Sequence, residues 1–115
     1  MELKTQVCSL ELAKKLKELN CKQDSLFYWW DNQKPAVVIK EKSNEKFVYS
    51  AFTSAELGEM LPAQTICRKD YINTTKHWVY SVEIADIKTD FIFAENEANA
   101  RAKMLVYLIE NNLLK

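Results

Sequence analysis

The chain has 115 residues, of which 48% are hydrophobic, and its 16 basic residues balance its 16 acidic residues. The length predicts one domain over residues 1–115, and the composition excludes intrinsic disorder, which needs low hydrophobicity and a high net charge. The single glycine, Gly58, excludes a P-loop and a dinucleotide-binding fingerprint, because both need several glycines.

The three cysteines, Cys8, Cys21 and Cys67, are odd in number and have no C-x-x-C spacing. This pattern predicts neither a disulfide framework nor a sequence-local metal site, and it favours reduced thiols in a cytoplasm. The N-terminus lacks the apolar stretch of a signal peptide, and the longest apolar run, residues 104–109, is far shorter than the ~20 residues of a membrane span. We therefore expect a cytoplasmic chain with no membrane contact, no metal and no cofactor.

The first predicted helix spans residues 10–19, where leucine and alanine recur at helical spacing and lysines are left for solvent. Ser9 is the expected N-cap, because its side chain can accept a hydrogen bond from the first turn. Asn20 can adopt the left-handed conformation that closes a Schellman motif. Cys21 would then contact Leu16, which gives this cysteine a packing role.

An aromatic strand is predicted next, over residues 26–30. Its side chains alternate, with Leu26, Tyr28 and Trp30 on one face and Phe27 and Trp29 on the other. The two adjacent tryptophans cannot both point inwards. We therefore expect one of them to be exposed.

Two later helices have clear start signals. Thr53 and Glu56 have the spacing of a capping box, and the short helix that they begin should end by Leu61, because a proline follows. The last helix is predicted over residues 97–111, with Asn96 as its cap and several alanines of high helix propensity.

The remaining strands are predicted from alternation and from the turn residues between them, at 36–40, 46–51, 65–72, 77–84 and 88–94. The first two are joined across a charged turn around Ser43 and Asn44. Trp78 and Tyr80 are interpreted as core beneath the last helix, and the last strand carries Phe91 and Phe93 on one face. The element order favours an α+β domain, an antiparallel sheet with the N-terminal, short middle and C-terminal helices packed on it.

Four segments of the chain together carry a family pattern: VCSLELAKKLKEL (7–19), SLFYW (25–29), AFTSAELGEMLP (51–62) and ANARAKML (98–105). In this order they resemble a group of small uncharacterised proteins of phages and prophages, especially of gut bacteria. The pattern leaves residues 31–46 and 63–76 unmatched. The resemblance implies a phage or prophage setting, in the host cytoplasm, and favours an accessory or host-interaction protein over a housekeeping enzyme. It supplies no functional residues.

Catalysis and nucleic-acid binding receive little support. A cysteine nucleophile would need His77, the only imidazole, within reach, and we predict no catalytic residue. Residues 10–29 open like a helix-turn-helix, but the second segment is aromatic and lacks arginine. Neither half of the chain is basic, since residues 1–50 carry a net +2 and residues 51–115 a net −2.

Binding is the function that the sequence favours. We predict an exposed apolar or aromatic patch that engages a protein partner or a second copy, with Tyr28, Trp29, Trp30, Arg68 and Arg101 as candidate contacts. The alternative is a nucleotide-binding protein, which needs a concave pocket joining the aromatic residues to Arg68, Lys69 or Arg101. An enzyme with a cysteine nucleophile is the third hypothesis.

Overall fold

The computed structural model describes residues 5–31, 35–39, 48–85 and 87–113, and within strands it leaves out the side chains of Ile39 and Asp90. The elements in chain order are α1 (Leu10–Glu18), β1 (Phe27–Trp30), β2 (Ala36–Ile39), β3 (Val48–Ser50), α2 (Ser54–Met60), β4 (Thr65–Ile72), β5 (His77–Ile84), β6 (Ile87–Ala94) and α3 (Glu97–Glu110). The described residues thus form three helices and two antiparallel sheets, which confirms the α+β class.

The helices begin at the polar residues predicted as caps. Ser9, Thr53 and Asn96 each accept a hydrogen bond on the side-chain oxygen from the backbone N–H three residues on. The Glu56 carboxylate returns to the Thr53 N–H at 2.9 Å and completes the capping box. These bonds satisfy amide groups that a helix N-terminus otherwise leaves without a partner.

Asparagine ends two of the helices in the left-handed conformation. Asn20 has φ 67°, and the N–H of Cys21 donates to the Leu16 carbonyl at 3.0 Å, as in the predicted Schellman motif. Helix α3 ends in the same way at Asn112, whose φ is 55°. Local sequence therefore determines both ends of α1 and α3.

The small sheet has the order β2-β1-β3. Strands β2 and β3 lie on opposite sides of β1, and each is antiparallel to it. They are therefore not neighbours in the sheet, although they follow each other in the chain. The predicted turn at Ser43 and Asn44 lies outside the described residues. In β1, Trp29 lies opposite Tyr49 and Val37, and Trp30 lies opposite Val48 and Ala36.

The large sheet has the order β4-β5-β6, and β4 and β5 have the bounds predicted from the sequence. Helix α3 packs against β5 and β6 from one side. Val82, Ile84 and Ala94 face this helix and are buried with its alanine and leucine side chains. A register shift lies between Val82 and Ile84, opposite β6. The other side of the sheet, which we call the outer face, turns away from α3.

One core joins the two sheets and the helices. Its members are the buried apolar residues Val7, Cys8, Ala13, Leu16, Trp29, Ala51, Phe52, Leu57, Leu61, Val82, Ile84, Ala94, Ala98, Ala100, Ala102, Met104, Leu105, Val106 and Leu108. Trp29 donates from Nε1 to the Cys8 carbonyl at 2.8 Å, and the Ser9 N–H donates to Asn99 Oδ1 at 2.6 Å. These bonds attach β1 and α3 to the segment that leads into α1.

The interpretation of Trp78 as a core residue is wrong. Its side chain is 54% exposed, whereas the neighbouring Val79 is 1% exposed. Trp78 lies beside the turn at residues 73–76. Val82 and Ile84 lie on the same face of β5 but at the other end of the strand, and these two are the residues buried against α3. Tyr80 lies between these two ends and is half-buried. Alternation along the strand gave the face correctly but could not show where that face stops being covered.

The two adjacent tryptophans should differ sharply in their contribution to stability. Trp29→Ala removes a buried indole and leaves the Cys8 carbonyl without its donor, so we expect the free energy of unfolding to fall by about 3 to 5 kcal/mol. Trp30→Ala should cost about 1 kcal/mol or less, because Trp30 is 47% exposed. Urea unfolding of both variants measures the difference, and equal losses would contradict this assignment of the core.

Candidate functional site

The three aromatic residues predicted to form one patch differ in how much of each side chain is exposed. Trp29 is 7% exposed and belongs to the core, and Tyr28 is 1% exposed. The Tyr28 hydroxyl donates to the Gln23 carbonyl at 3.0 Å and accepts from the Ser25 N–H at 3.3 Å. Of these three candidates, only Trp30 exposes a large part of its side chain to solvent. The expectation that one of the two tryptophans is exposed is confirmed, and Trp30 is that residue.

The two candidate arginines lie in different parts of the molecule. Arg68 is on β4, on the outer face, and forms an exposed ion pair with Glu83 of β5. Arg101 is on α3, where its Nε donates to Glu97 Oε2 at 3.1 Å. The structure therefore does not bring Arg68, Arg101 and Trp30 together into one site.

Gly58 makes room for Arg101. A Cβ atom at position 58 would lie 2.5 Å from Arg101 Nη1, much closer than carbon and nitrogen atoms approach without bonding. The glycine does not adopt a positive φ. It therefore serves the contact between α2 and α3 and not the backbone conformation, and the Arg101 guanidinium acts as a packing group between the two helices.

A cleft of about 430 Å³ lies where α2 and α3 begin. Its lining includes Thr53, Ser54, Tyr80, Glu95, Asn96 and Glu97. The cap oxygens of Thr53 and Asn96 already accept backbone hydrogen bonds, and the ionisable side chains of the lining other than Tyr80 are the two glutamates. Negative charge in a cleft repels phosphate, so this cleft is poorly suited to the anionic nucleotide of the alternative hypothesis.

Lys69 contacts two aromatic rings, of which Tyr80 lines the cleft and Trp78 does not. Its Nζ lies 5.3 Å from the centroid of Trp78 and 5.8 Å from that of Tyr80, within cation–π range. Tyr71 packs edge-on against Trp78 at 5.2 Å. The exposed aromatics near the β4–β5 turn are therefore engaged with each other and with a lysine of the same chain.

The cysteines are poorly placed to act as nucleophiles. Burial raises the pKa of Cys8 to about 11 and raises the pKa of Cys21 and Cys67 above the usual value. At Cys67 the nearby Glu97 charge also raises the pKa, against a hydrogen bond and charge from Arg101 that lower it. A raised pKa keeps the thiol protonated and unreactive near neutral pH.

His77 is also far from Cys67. Cys67 pairs with Val82, and His77 lies five residues further along β5, which puts the two backbones roughly 17 Å apart. The His77 ring lies at the strand end, with Nδ1 3.3 Å from the Thr75 carbonyl. Among the residues that the structure describes, no group of three or more His, Cys, Asp or Glu side chains is arranged to hold a metal ion.

The outer face of the large sheet carries exposed apolar side chains on its two edge strands, which the sequence interpretation missed. Ile66, Phe91 and Phe93 are 49%, 66% and 46% exposed. The two phenylalanine rings lie 5.1 Å apart, as the predicted shared face requires. Alternation revealed that these rings share a face but could not show that α3 covers the opposite one.

The chain was compared with known protein families, curated proteins and solved structures, and no match was found. The resemblance to phage and prophage proteins therefore stays a prediction. None of the described helices has the length and apolar character needed to span a membrane.

The contact between Gly58 and Arg101 predicts non-additive substitutions. Gly58→Ala should stabilise the protein by roughly 0.5 to 1 kcal/mol when Arg101 is replaced by alanine, because alanine is the better helix former and the space is then free. With Arg101 present the same change should give no gain or a loss. Urea unfolding of the four proteins measures this coupling, and additive effects would show that the guanidinium does not need the glycine.

The raised pKa of the buried Cys8 thiol predicts that the folded protein loses stability at high pH. Below pH 9 its thiol is protonated in both the folded and the unfolded chain, and above pH 9 the unfolded chain ionises first, because the folded pKa is about 11. The free energy of unfolding should therefore fall by roughly 2 kcal/mol more in the native protein than in Cys8→Ala between pH 8 and 10.5. Parallel pH profiles for the two proteins would indicate a normal thiol.

Proposed function

We propose that this protein acts by binding a protein, either a partner or a second copy of itself, through the outer face of the β4–β5–β6 sheet. The observation that supports this proposal most directly is the pair of exposed phenylalanines, Phe91 and Phe93, on the same face as the exposed Ile66. Large apolar side chains that gather on one solvent-facing surface usually mark an interface. Antiparallel sheets commonly leave one face to solvent, and that face is then mostly polar, so two large apolar rings are unusual on it.

The energetics favour an apolar partner surface here. Fully burying a phenylalanine side chain contributes about 1.5 to 3 kcal/mol, so covering the two half-exposed rings and Ile66 would supply a useful fraction of a binding free energy. The other exposed aromatic cluster is a weaker candidate, since Lys69 lies over Trp78 and Tyr71 already packs on its edge. Trp30 and Leu26, exposed near the small sheet, provide less apolar surface than the outer face.

The cellular setting belongs to the same proposal. The sequence motifs support an accessory protein of a phage or prophage, and the three free cysteines, Cys8, Cys21 and Cys67, support the reducing host cytoplasm as its compartment. A binding role suits such a protein, because modulation of a host protein needs a recognition surface and no catalytic machinery.

Photo-crosslinking from the outer face tests the proposal. A benzophenone amino acid in place of Phe93 should give a protein adduct on irradiation, in the purified protein if the occupant is a second copy and in the cells that encode it if the occupant is another protein. The matched control carries the same probe in place of Tyr71, which is equally exposed, at 45% against 46%, but lies on the opposite face.

The adduct must depend on position to support the proposal. We expect a discrete adduct from position 93 and none, or a much weaker one, from position 71. Equal labelling at both positions would indicate random collision, and the absence of any adduct from position 93 would contradict binding through the outer face.

A further inference from the structure

The outer face carries an exposed ion pair among its exposed apolar side chains. Arg68 of β4 pairs diagonally across the strands with Glu83 of β5, and their side chains are 59% and 55% exposed. Arg68 lies directly opposite Ser81, and Ser81 in turn lies opposite Phe93. The ion pair therefore lies between Ile66 on one strand and the phenylalanines on another.

A further acidic side chain near this pair has a neutral partner. Asp70 accepts a hydrogen bond from the Ser81 hydroxyl at 2.8 Å. The Ser81 hydroxyl stabilises the Asp70 carboxylate without neutralising it, so Asp70 adds a negative charge beside the balanced pair of Arg68 and Glu83, whose side chains have much of their surface in water. A partner of one predominant sign would satisfy one member of this pair and repel the other.

A surface with this layout is complementary to itself. In a two-fold dimer the same patch of both subunits forms the interface. If residue i of the first subunit contacts residue j of the second, then residue j of the first also contacts residue i of the second. Rotation about a two-fold axis can place Arg68 of one copy beside Glu83 of the other, twice, while the apolar side chains meet. The net charge of the chain is zero, so two copies do not repel each other at long range.

We infer that the occupant of the outer face is a second copy of this chain, which rests on the proposed function of that face. The two sheets pack face to face, Phe91 and Phe93 of each copy fill the space between them, and the Arg68 and Glu83 pairs of the two copies exchange partners. Aligned sheets pack about 10 Å apart with interdigitating side chains, which suits these protruding rings. Helix α3 of each copy lies on the outside, so the dimer has helices on both surfaces and sheets between them.

Charge reversal at the two positions tests this arrangement. Arg68→Glu brings two carboxylates together at both symmetric contacts, because the new side chain faces Glu83 of the other copy, and Glu83→Arg brings two guanidinium groups together in the same way. Each variant alone should weaken dimer formation about tenfold or more, as measured by sedimentation velocity over a concentration series. An equimolar mixture of the two variants should recover the dimer, because each reversed charge then faces an opposite one.

A second exposed ion pair provides the matched control. Lys15 and Glu110 form a salt bridge between α1 and α3, with side chains 44% exposed, away from the outer face. Lys15→Glu and Glu110→Lys, alone or mixed, should leave the dissociation constant unchanged. Circular dichroism and thermal unfolding check that each variant folds, which we expect because all four side chains are well exposed.

The outcomes separate this inference from the proposed function. A dimer of twice 13.4 kDa that is lost in the single variants and recovered in their mixture supports the inference. A monomeric native protein, or a mixture that stays as weak as its components, overturns it. If the position-93 adduct then contains a different protein, the binding function of the outer face stands and only the second copy is excluded; if there is no adduct, both fail.

Discussion

The buried peptide groups around Cys8 hold together elements that are distant in the chain. The Cys8 N–H donates to the Phe52 carbonyl at 2.9 Å, and the Cys8 carbonyl accepts from Trp29 Nε1 at 2.8 Å. A backbone group that is buried without a partner costs free energy comparable to a lost hydrogen bond, so each of these elements constrains the others. The start of α1, the strand β1 and the run into α2 therefore take their positions from one residue. This places Trp29 inside and leaves Trp30 outside.

Among the described residues, helix α3 covers one face of the large sheet and leaves large apolar side chains exposed on the other. Helix α3 lies on β5 and β6, and its alanines allow close approach to Val82 and Ala94. The opposite face keeps Phe91 and Phe93 in solvent, where their apolar surface is available to another protein. The same molecule has a cleft at the helix starts, and the negative charge of the two glutamates in its lining makes it poorly suited to phosphate.

Much of the local structure could be predicted because its causes lie within a few residues. The caps at Ser9 and Thr53 and the left-handed Asn20 depend on side chains that reach their own backbone, and the bounds of β4 and β5 follow from turn residues. The division into two sheets could not be predicted, because strand pairing depends on distant segments. The exposure of Trp78 could not be predicted either, because alternation does not show how far along a strand a helix covers its face. The separation of Arg68 from Arg101 depends on which face of the sheet the helix covers, and the sequence does not show this.

The scarcity of glycine also affects the chain before it folds. The positive φ angles among the described residues belong to Asn20, Lys76 and Asn112, with none at Gly58. Glycine would adopt these conformations with less strain, but it would also allow the unfolded backbone many more conformations. With side chains at all three positions, the unfolded ensemble is smaller and the entropy lost on folding is reduced. The protein thus accepts a little strain at its turns and helix ends and gains an unfolded state that is less favourable.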